Sequence, residues 1–113
     1  MPSLRQLHFA LQPFAQELFR VARSLDPSFR VTSVRRSYQE QARLYAAYVA
    51  GKSELPAAPP GRSFHEIGLA FDMARPGTRP HNDEELAALG ALWQSWGGLW
   101  RASDPVHFSV EVR

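Results

Sequence analysis

The chain has 113 residues, which fits a single domain (1–113) with a modest core. It contains no cysteine, so disulfides and thiolate zinc sites are excluded, and a metal would need carboxylates and the four histidines. A net charge of +2 without a clustered basic face argues against nucleic-acid binding, and no apolar run is long enough for membrane insertion.

The first half of the chain predicts a helix, a strand and a second helix. Apolar residues recur at helical spacing in Gln12–Leu25, where Pro13 suits the first turn. The residues of this apolar set are Phe14, Leu18, Val21, Ala22 and Leu25. Residues 29–34 alternate and are β-branched, which is typical of a strand.

The second helix is predicted to begin at a capping box formed by Ser37 and Glu40 and to end at Gly51. Its expected apolar stripe consists of Leu44, Ala47 and Tyr48, with Gln41 one turn earlier on the same side. Residues 52–62 hold several prolines and a glycine and are predicted to form a loop.

The second half predicts a strand over residues 67–73, with Ala70 and Asp72 on the face opposite Leu69 and Phe71. A capping box of Asn82 and Glu85 begins a third helix, which ends at the 97–98 glycine pair. Two short strands, 99–102 and 106–112, complete the chain. This order indicates an α+β fold with a small antiparallel sheet.

Three residues in this frame have the chemistry of a metal site. His65 is followed by a Glu but cannot belong to a zincin motif, because Leu69 stands where the second His would be. His107 lies on the polar face of the last strand, as Asp72 does on its own strand. If the two strands are neighbours, two His and one carboxylate can converge, which is a catalytic zinc arrangement with an open position.

Asp104, three residues before His107, is positioned to act as a general base, and Arg36 at a strand end could neutralise an oxyanion. Simpler interpretations remain open at this point. A single His is usually a surface or core residue, an Asp before Pro is usually a turn residue, and Arg36 could be a solvated helix-start side chain. His8 and His81 are given that simpler interpretation, and Glu66 is expected at the surface.

The segment SFHEIGLAFD resembles the S-x-H-x-x-G-x-A-x-D signature of the zinc D,D-/L,D-peptidases of the bacterial cell wall. These comprise the VanY-like D-alanyl-D-alanine carboxypeptidases and the phage endolysin L-alanyl-D-glutamate peptidases. Two further blocks, VTSVRRSYQEQARLY and WGGLWRASDPVHF, are similar to the family's other blocks, and the resemblance spans residues 11–111. The five fixed positions of the signature are Ser63, His65, Gly68, Ala70 and Asp72.

The resemblance implies the Hedgehog/DD-peptidase fold, an antiparallel sheet flanked by helices, and a Zn²⁺ ion bound by His65, Asp72 and His107. It also implies that Asp104 is the catalytic acid and base, and that Arg36 stabilises the oxyanion or binds substrate. Ser63 and Gln41 are implied as substrate-binding or supporting residues.

The implied partner is a peptidoglycan stem peptide, and a monomer is expected. Asp104 stands where carboxypeptidase members generally carry Glu, which resembles the endolysin-like branch and favours cleavage of the L-Ala–D-Glu bond. The alternatives are a D-alanyl-D-alanine carboxypeptidase or dipeptidase and a non-catalytic zinc-stabilised module. Because residues 1–20 lack the features of a secretory signal, we expect synthesis in the cytoplasm and release to the cell wall by a holin, a secretion system or lysis.

Overall fold

The computed structural model describes residues 2–111 and contains three α-helices, a four-stranded sheet and three short 3₁₀ turns within that range. The helices and strands, in chain order, are α1 (Gln12–Leu25), β1 (Arg30–Ser33), α2 (Tyr38–Val49), β2 (Ala70–Ala74), α3 (Glu84–Ser95), β3 (Leu99–Arg101) and β4 (Asp104–Ser109). The predicted α+β class is confirmed. No helix among the described residues combines the length and apolar character needed to cross a bilayer.

The sheet is antiparallel throughout, with strand order β1-β2-β4-β3. The pairing of β2 with β4 sets Phe71 opposite Phe108 and Asp72 opposite His107. Because side chains alternate between the faces of a sheet, the two aromatic residues share one face and the two polar residues share the other. This register gives the sheet an apolar face and a polar face.

The apolar face of the sheet packs against α1 and α3. Phe71 stacks on Phe108 with ring centroids 5.4 Å apart, and Trp93 of α3 meets both rings edge-on. The Trp93 indole N–H donates to the Ser109 carbonyl at 2.9 Å, so this buried polar atom is satisfied. Gly90 of α3 lies against the Trp100 ring, and a Cβ there would be 2.2 Å from it. A side chain at this position would push β3 away from the helix.

A cluster around Arg75, just after β2, ties three parts of the chain together. Its guanidinium donates to three carboxylates and lies 5.1 Å over the Phe29 ring. The three carboxylates belong to Asp26 after α1, Asp83 before α3 and Glu85 in the first turn of α3. We refer to Arg75 and these three residues as the Arg75 cluster.

The structure corrects the predicted strand over residues 67–73. Phe64–Ile67 form a 3₁₀ turn, and the strand begins only at Ala70. Ser63 and Glu66 form a reciprocal capping box around this turn, so Glu66 is a half-buried structural acceptor and not a plain surface residue. The S-x-x-E spacing was the available signal for this turn.

Gly68 makes the reversal after that turn possible. Its φ of +73° lies in the left-handed region, and an added Cβ would meet the Gln6 carbonyl at 3.2 Å and the His8 amide at 3.3 Å. The Gly68 carbonyl accepts from that same His8 amide at 2.9 Å. The N-terminal segment is thereby held against the turn that carries His65.

Other boundaries and faces also differ from the sequence predictions. The N-cap of α3 is Asp83, whose carboxylate accepts from two backbone amides, and Asn82 lies in a preceding 3₁₀ turn. Helix α1 has the predicted bounds, but Phe14 and Leu25 on its expected apolar face are about half exposed, while Ala15 is buried. The predicted strand 106–112 begins at Asp104 and ends at Ser109, and its last predicted residue lies outside the described residues.

The apolar stripe predicted for α2 is also wrong. Leu44 and Tyr48 are exposed, and the side chain that α2 buries is that of Gln41. The Ser37 hydroxyl caps the helix by accepting from the Glu40 amide. The Glu40 carboxylate accepts a hydrogen bond from the Ser37 hydroxyl and not from the Ser37 amide, so the predicted capping box is incomplete. Helix α2 therefore places a buried polar side chain, that of Gln41, near the polar face of the sheet.

Candidate metal centre and its cleft

Three side chains meet on the polar face of the sheet. Asp72 and His107 are brought together by the direct pairing of β2 with β4, and His65 projects from the 3₁₀ turn that precedes β2. His65 Nε2 lies 3.0 Å from Asp72 Oδ1 and 3.1 Å from His107 Nδ1, and the last two atoms are 3.3 Å apart. The convergence expected from strand polarity is therefore present.

The orientation of the His65 ring is fixed by a hydrogen bond at its other ring nitrogen, Nδ1. Its Nδ1 lies 2.6 Å from the Val34 carbonyl oxygen, which can only accept, so Nδ1 carries the proton and Nε2 of the neutral ring has a lone pair. That lone pair faces Asp72 Oδ1, another acceptor, at 3.0 Å. Two acceptors at this distance require a cation or a proton between them.

The spacing of the three donor atoms fits a zinc ion. Nitrogen and oxygen ligands about 2.0–2.2 Å from a tetrahedral ion are separated from one another by roughly 3.3–3.6 Å. The donor distances of 3.0–3.3 Å are slightly shorter than these values. Two imidazoles and one carboxylate leave the fourth position of such an ion for water or substrate.

Arg36 holds the second oxygen of Asp72. Its Nη2 donates to Asp72 Oδ2 at 2.6 Å, its Nε donates to the Ser33 hydroxyl at 2.8 Å, and its backbone amide donates to the His65 carbonyl at 3.2 Å. These contacts leave Asp72 Oδ1 for the metal side and aim it there. Ser33 was not among the predicted site residues, although it lies in the VTSVRRSYQEQARLY block that carries part of the family resemblance.

Burial alone would raise the pKa of the Asp72 carboxyl, but its interactions with the His107 and His65 rings and the positive charge of Arg36 outweigh that effect. The net result is a pKa lowered well below the usual range for aspartate. Asp72 is therefore ionised at neutral pH, as a metal ligand must be.

Gln41 and Ser63 lie beside this centre but do different things. The buried Gln41 amide accepts from Arg36 Nη1 at 3.2 Å and donates to the Ala58 carbonyl at 2.8 Å, which connects Arg36 to the proline-rich loop. The Ser63 hydroxyl accepts from the His65 amide at 3.2 Å and caps the turn that carries this histidine. Both residues also line the adjoining cleft.

An open cleft of about 620 Å³ adjoins the three donor residues and is large enough for several residues of a peptide. His65, His107 and Asp104 line it together with Arg36. Partial burial raises the pKa of the Asp104 carboxyl above its ordinary value, and the negative charge of Asp72 adds to this rise. A carboxyl group shifted in this direction is better suited to accept and return a proton near neutral pH.

The structure also places in the cleft residues that sequence reasoning did not single out. The proline-rich loop contributes Pro56, Ala57 and Ala58, and two arginines, Arg62 and Arg101, line the cleft as well. Their only signals in the sequence were closeness to Ser63 and to Asp104. His8 and His81, which were expected to have no part in the site, do not belong to the cluster of three donor residues.

Comparison with known proteins agrees with this geometry. The family model described as VanY, D-alanyl-D-alanine carboxypeptidase, matches residues 4–109. No protein among the curated sequences matches the chain.

Several solved structures are similar in fold. VanYB in complex with D-alanine-D-alanine has a TM-score of 0.68 and 23% identity, covering 92% of this chain and 71% of VanYB. The vancomycin-resistance D,D-pentapeptidase VanY, a mutant in complex with Zn(II), has a TM-score of 0.66 and 22% identity over 92% of this chain and 72% of its own. The LD-carboxypeptidase LdcB has a TM-score of 0.69 and 20% identity, covering 92% of this chain and 65% of LdcB. The predicted DD-peptidase fold is confirmed.

Proposed function

We propose that this chain, which belongs to the VanY family of D-alanyl-D-alanine carboxypeptidases, is a zinc-dependent peptidase of bacterial peptidoglycan stem peptides. The observation that carries the proposal is the convergence of His65 Nε2, His107 Nδ1 and Asp72 Oδ1 within 3.3 Å of one another at the cleft. The Zn(II) named for the similar VanY structure supports the choice of metal.

His65, Asp72 and His107 would hold the ion, and Zn²⁺ when bound supplies a Lewis acid that polarises the scissile carbonyl and makes water nucleophilic near neutral pH. The protein's own contribution begins with orientation. The Val34 carbonyl keeps the lone pair of His65 Nε2 directed at the centre, and Arg36 keeps one oxygen of Asp72 directed there.

Asp104 accepts a proton from the attacking water and returns it to the leaving amine. Its place in the cleft beside His65 and His107 and its raised pKa support this role. Arg36 donates to Asp72 and to Gln41, so its main work is to position the ligand carboxylate. Because Arg36 also lines the cleft, its positive charge adds to the stabilisation of the oxyanion.

Two bonds of the stem peptide are candidates. The family description and the D-alanine-D-alanine bound to VanYB support cleavage of the terminal D-alanyl-D-alanine bond. Asp104, which is one methylene shorter than the Glu usual in carboxypeptidases, supports the L-Ala–D-Glu bond instead. Both reactions need the same metal centre and differ in which part of the stem lies across it.

The test uses purified protein loaded with Zn²⁺ and soluble muropeptides of known sequence, analysed by mass spectrometry. Loss of terminal D-Ala identifies the carboxypeptidase, and release of glycan that retains only L-Ala identifies the endopeptidase. Activity should disappear with a chelator and return with Zn²⁺. A protein that binds stoichiometric Zn²⁺ but cleaves neither bond would be the non-catalytic module.

The metal site has a matched pair of variants. His107→Ala should lose both zinc binding and activity, while His8→Ala removes an exposed histidine outside the cleft and should retain both. Stoichiometric zinc in the His107→Ala protein, measured by elemental analysis, would refute the ligand set.

A further inference from the structure

Two arginines, Arg62 and Arg101, bring positive charge to the cleft. Arg62 comes from the segment that leads into the turn carrying His65, and Arg101 is the last residue of β3. Both are exposed and both line the cleft. Within residues 2–111, no carboxylate lies within ion-pair distance of either guanidinium.

Two other arginines near strand ends are already neutralised. Arg36 is paired with Asp72 at 2.6 Å, and Arg75 is surrounded by three carboxylates. Arg62 and Arg101 therefore bring two positive charges to the cleft, against one carboxylate, Asp104, among its lining residues in the described part of the chain. A cleft with this balance attracts an anionic ligand.

Arg101 is also close to the reacting groups. It is the register partner of Asp104 across the β3–β4 pair. Burial raises the pKa of Asp104, and the positive charge of Arg101 works against that rise, so the two side chains interact through space. A ligand group bound by Arg101 would therefore lie near the proposed bond cleavage.

The guanidinium group is suited to one class of ligand in particular. Its planar array of N–H donors matches the two oxygens of a carboxylate and gives a charge-assisted pair of hydrogen bonds. A stem peptide offers such groups in two places: the C-terminal carboxylate, and the α-carboxylate of a D-Glu that is linked through its side chain. Amidation of either group removes the charge and one acceptor.

We propose that Arg62 and Arg101 bind carboxylate groups of the substrate and make the enzyme prefer stem peptides with a free carboxylate next to the scissile bond over amidated ones. This inference rests on the proposed peptidase function and concerns which substrates the same cleft accepts. Arg62 and Arg101 act here as specificity residues, separate from the metal ligands and from Asp104.

The experiment compares matched peptides that differ by one group. One pair carries carboxylate or amide at the α-position of D-Glu, and the other carries carboxylate or amide at the C-terminus. The kcat and KM are measured for the zinc-loaded wild type and for Arg62→Gln, Arg101→Gln and Arg101→Lys. Arg43→Gln is the matched control, because it removes the same charge from the exposed surface of α2, away from the cleft lining.

The expected result is a rise in KM of about threefold to tenfold for the carboxylate peptide in each Gln variant, since a hydrogen-bonded charge pair is lost. The KM for the matching amide peptide and the kcat should change less than about twofold. Arg101→Lys keeps the charge but not the planar pair of donors, so it should keep only part of the preference. The peptide pair that responds identifies which of the two carboxylates is bound.

Equal KM values for acid and amide peptides in the wild type would overturn this inference while leaving the peptidase function intact. An equal effect of Arg43→Gln would overturn it too, because the response would then reflect net charge alone. If no peptide is cleaved, the proposed function fails separately. Titration of the acid and amide peptides into the Asp104→Asn protein, followed by tryptophan fluorescence, then decides the inference: equal dissociation constants reject it, and tighter binding of the acid that Arg101→Gln abolishes supports it.

Discussion

Arg36 and Arg75 are two arginines near the same central strand, and their surroundings differ in one decisive respect. Arg75 faces three carboxylates, none of which lines the cleft. Arg36 faces a single carboxylate, that of Asp72, which also contacts two histidines. The Arg75 cluster joins the end of α1 to the beginning of α3. Arg36 instead contacts the second oxygen of Asp72, whose other oxygen is one of the three donor atoms.

The comparison separates stabilising a fold from positioning a ligand. Around Arg75 the negative charges outnumber the positive one, and several partners can share the loss of any single contact. Around Arg36 the carboxylate has two oxygens with two separate uses, so displacement of the arginine frees Asp72 to rotate. We therefore expect substitutions in the Arg75 cluster to change stability and substitutions around Arg36 to change activity.

The largest expected effect is the loss of turnover when Asp104, which lines the cleft, is substituted. Asp104→Asn keeps the size of the side chain but removes the proton acceptor, so kcat should fall by about 10²–10⁴-fold. Zinc content, measured by elemental analysis, should stay stoichiometric because Asp104 is not among the three donors. Near-wild-type turnover would remove Asp104 from the mechanism.

Arg75→Met should lower the free energy of unfolding by about 2–3 kcal/mol, because the buried Asp83 loses its charged partner. Turnover per folded molecule should not change. Arg79→Met is the control: its pair with Glu54 is about two-thirds exposed on both sides, and its loss should cost less than about 1 kcal/mol by urea denaturation. Similar losses in the two variants would show that the Arg75 cluster is no more than surface charge.

Arg36→Met should have the opposite pattern. Loss of the donor that orients Asp72 should reduce zinc affinity or kcat by about 10–100-fold. Competition with a chromogenic chelator separates the loss of affinity from the loss of kcat. If both stay at wild-type values while the protein unfolds more easily, the contrast between Arg36 and Arg75 is wrong.

Acidification should weaken the metal-free protein through both regions. Hydrogen bonds from Ser28, followed by Arg75, lower the pKa of Asp26 below its ordinary 3.8, and the pKa of Asp72 is lowered as well. Because the unfolded chain then binds protons more readily, the stabilisation is complete above about pH 5 and is lost as pH falls through and below 4. Urea denaturation between pH 3 and 7 in chelator should give this slope, and Arg75→Met should reduce it.

The smallest expected effect is the contribution of Asp104 to stability, whose pH dependence is opposite in sign to that of Asp26 and Asp72. The raised pKa of Asp104 means that the folded state favours the protonated form, so its contribution to stability is present at low pH and lost as pH rises. In chelator, Asp104→Asn should therefore have a higher Tm than the wild type at pH 7 and the same Tm near pH 3. A lower Tm at pH 7 would mean that the carboxylate stabilises the metal-free fold.

Local sequence signals located much of the chain and of the site. The period of apolar residues gave the bounds of α1, and strand polarity placed Asp72 and His107 on the same side of a sheet. Both signals are local, since they depend only on the geometry of a helix or a strand. His65 and Asp104 were candidates from their residue types and positions, and the family blocks then implied their roles.

Contacts distant in sequence decided the rest. Nothing local distinguishes Leu44 and Tyr48 of α2 from a core stripe, because their exposure depends on what packs beside them. The pairing of Arg36 with Asp72, 36 positions apart, and the fixing of the His65 ring by Val34 exist only once the strands have assembled. By itself the sequence determined the fold class and which residue types could bind a metal. The tertiary structure decided which donor atoms meet and which arginines of the described residues form no ion pair. These features depend on distances between segments, and the order of the chain does not fix those distances.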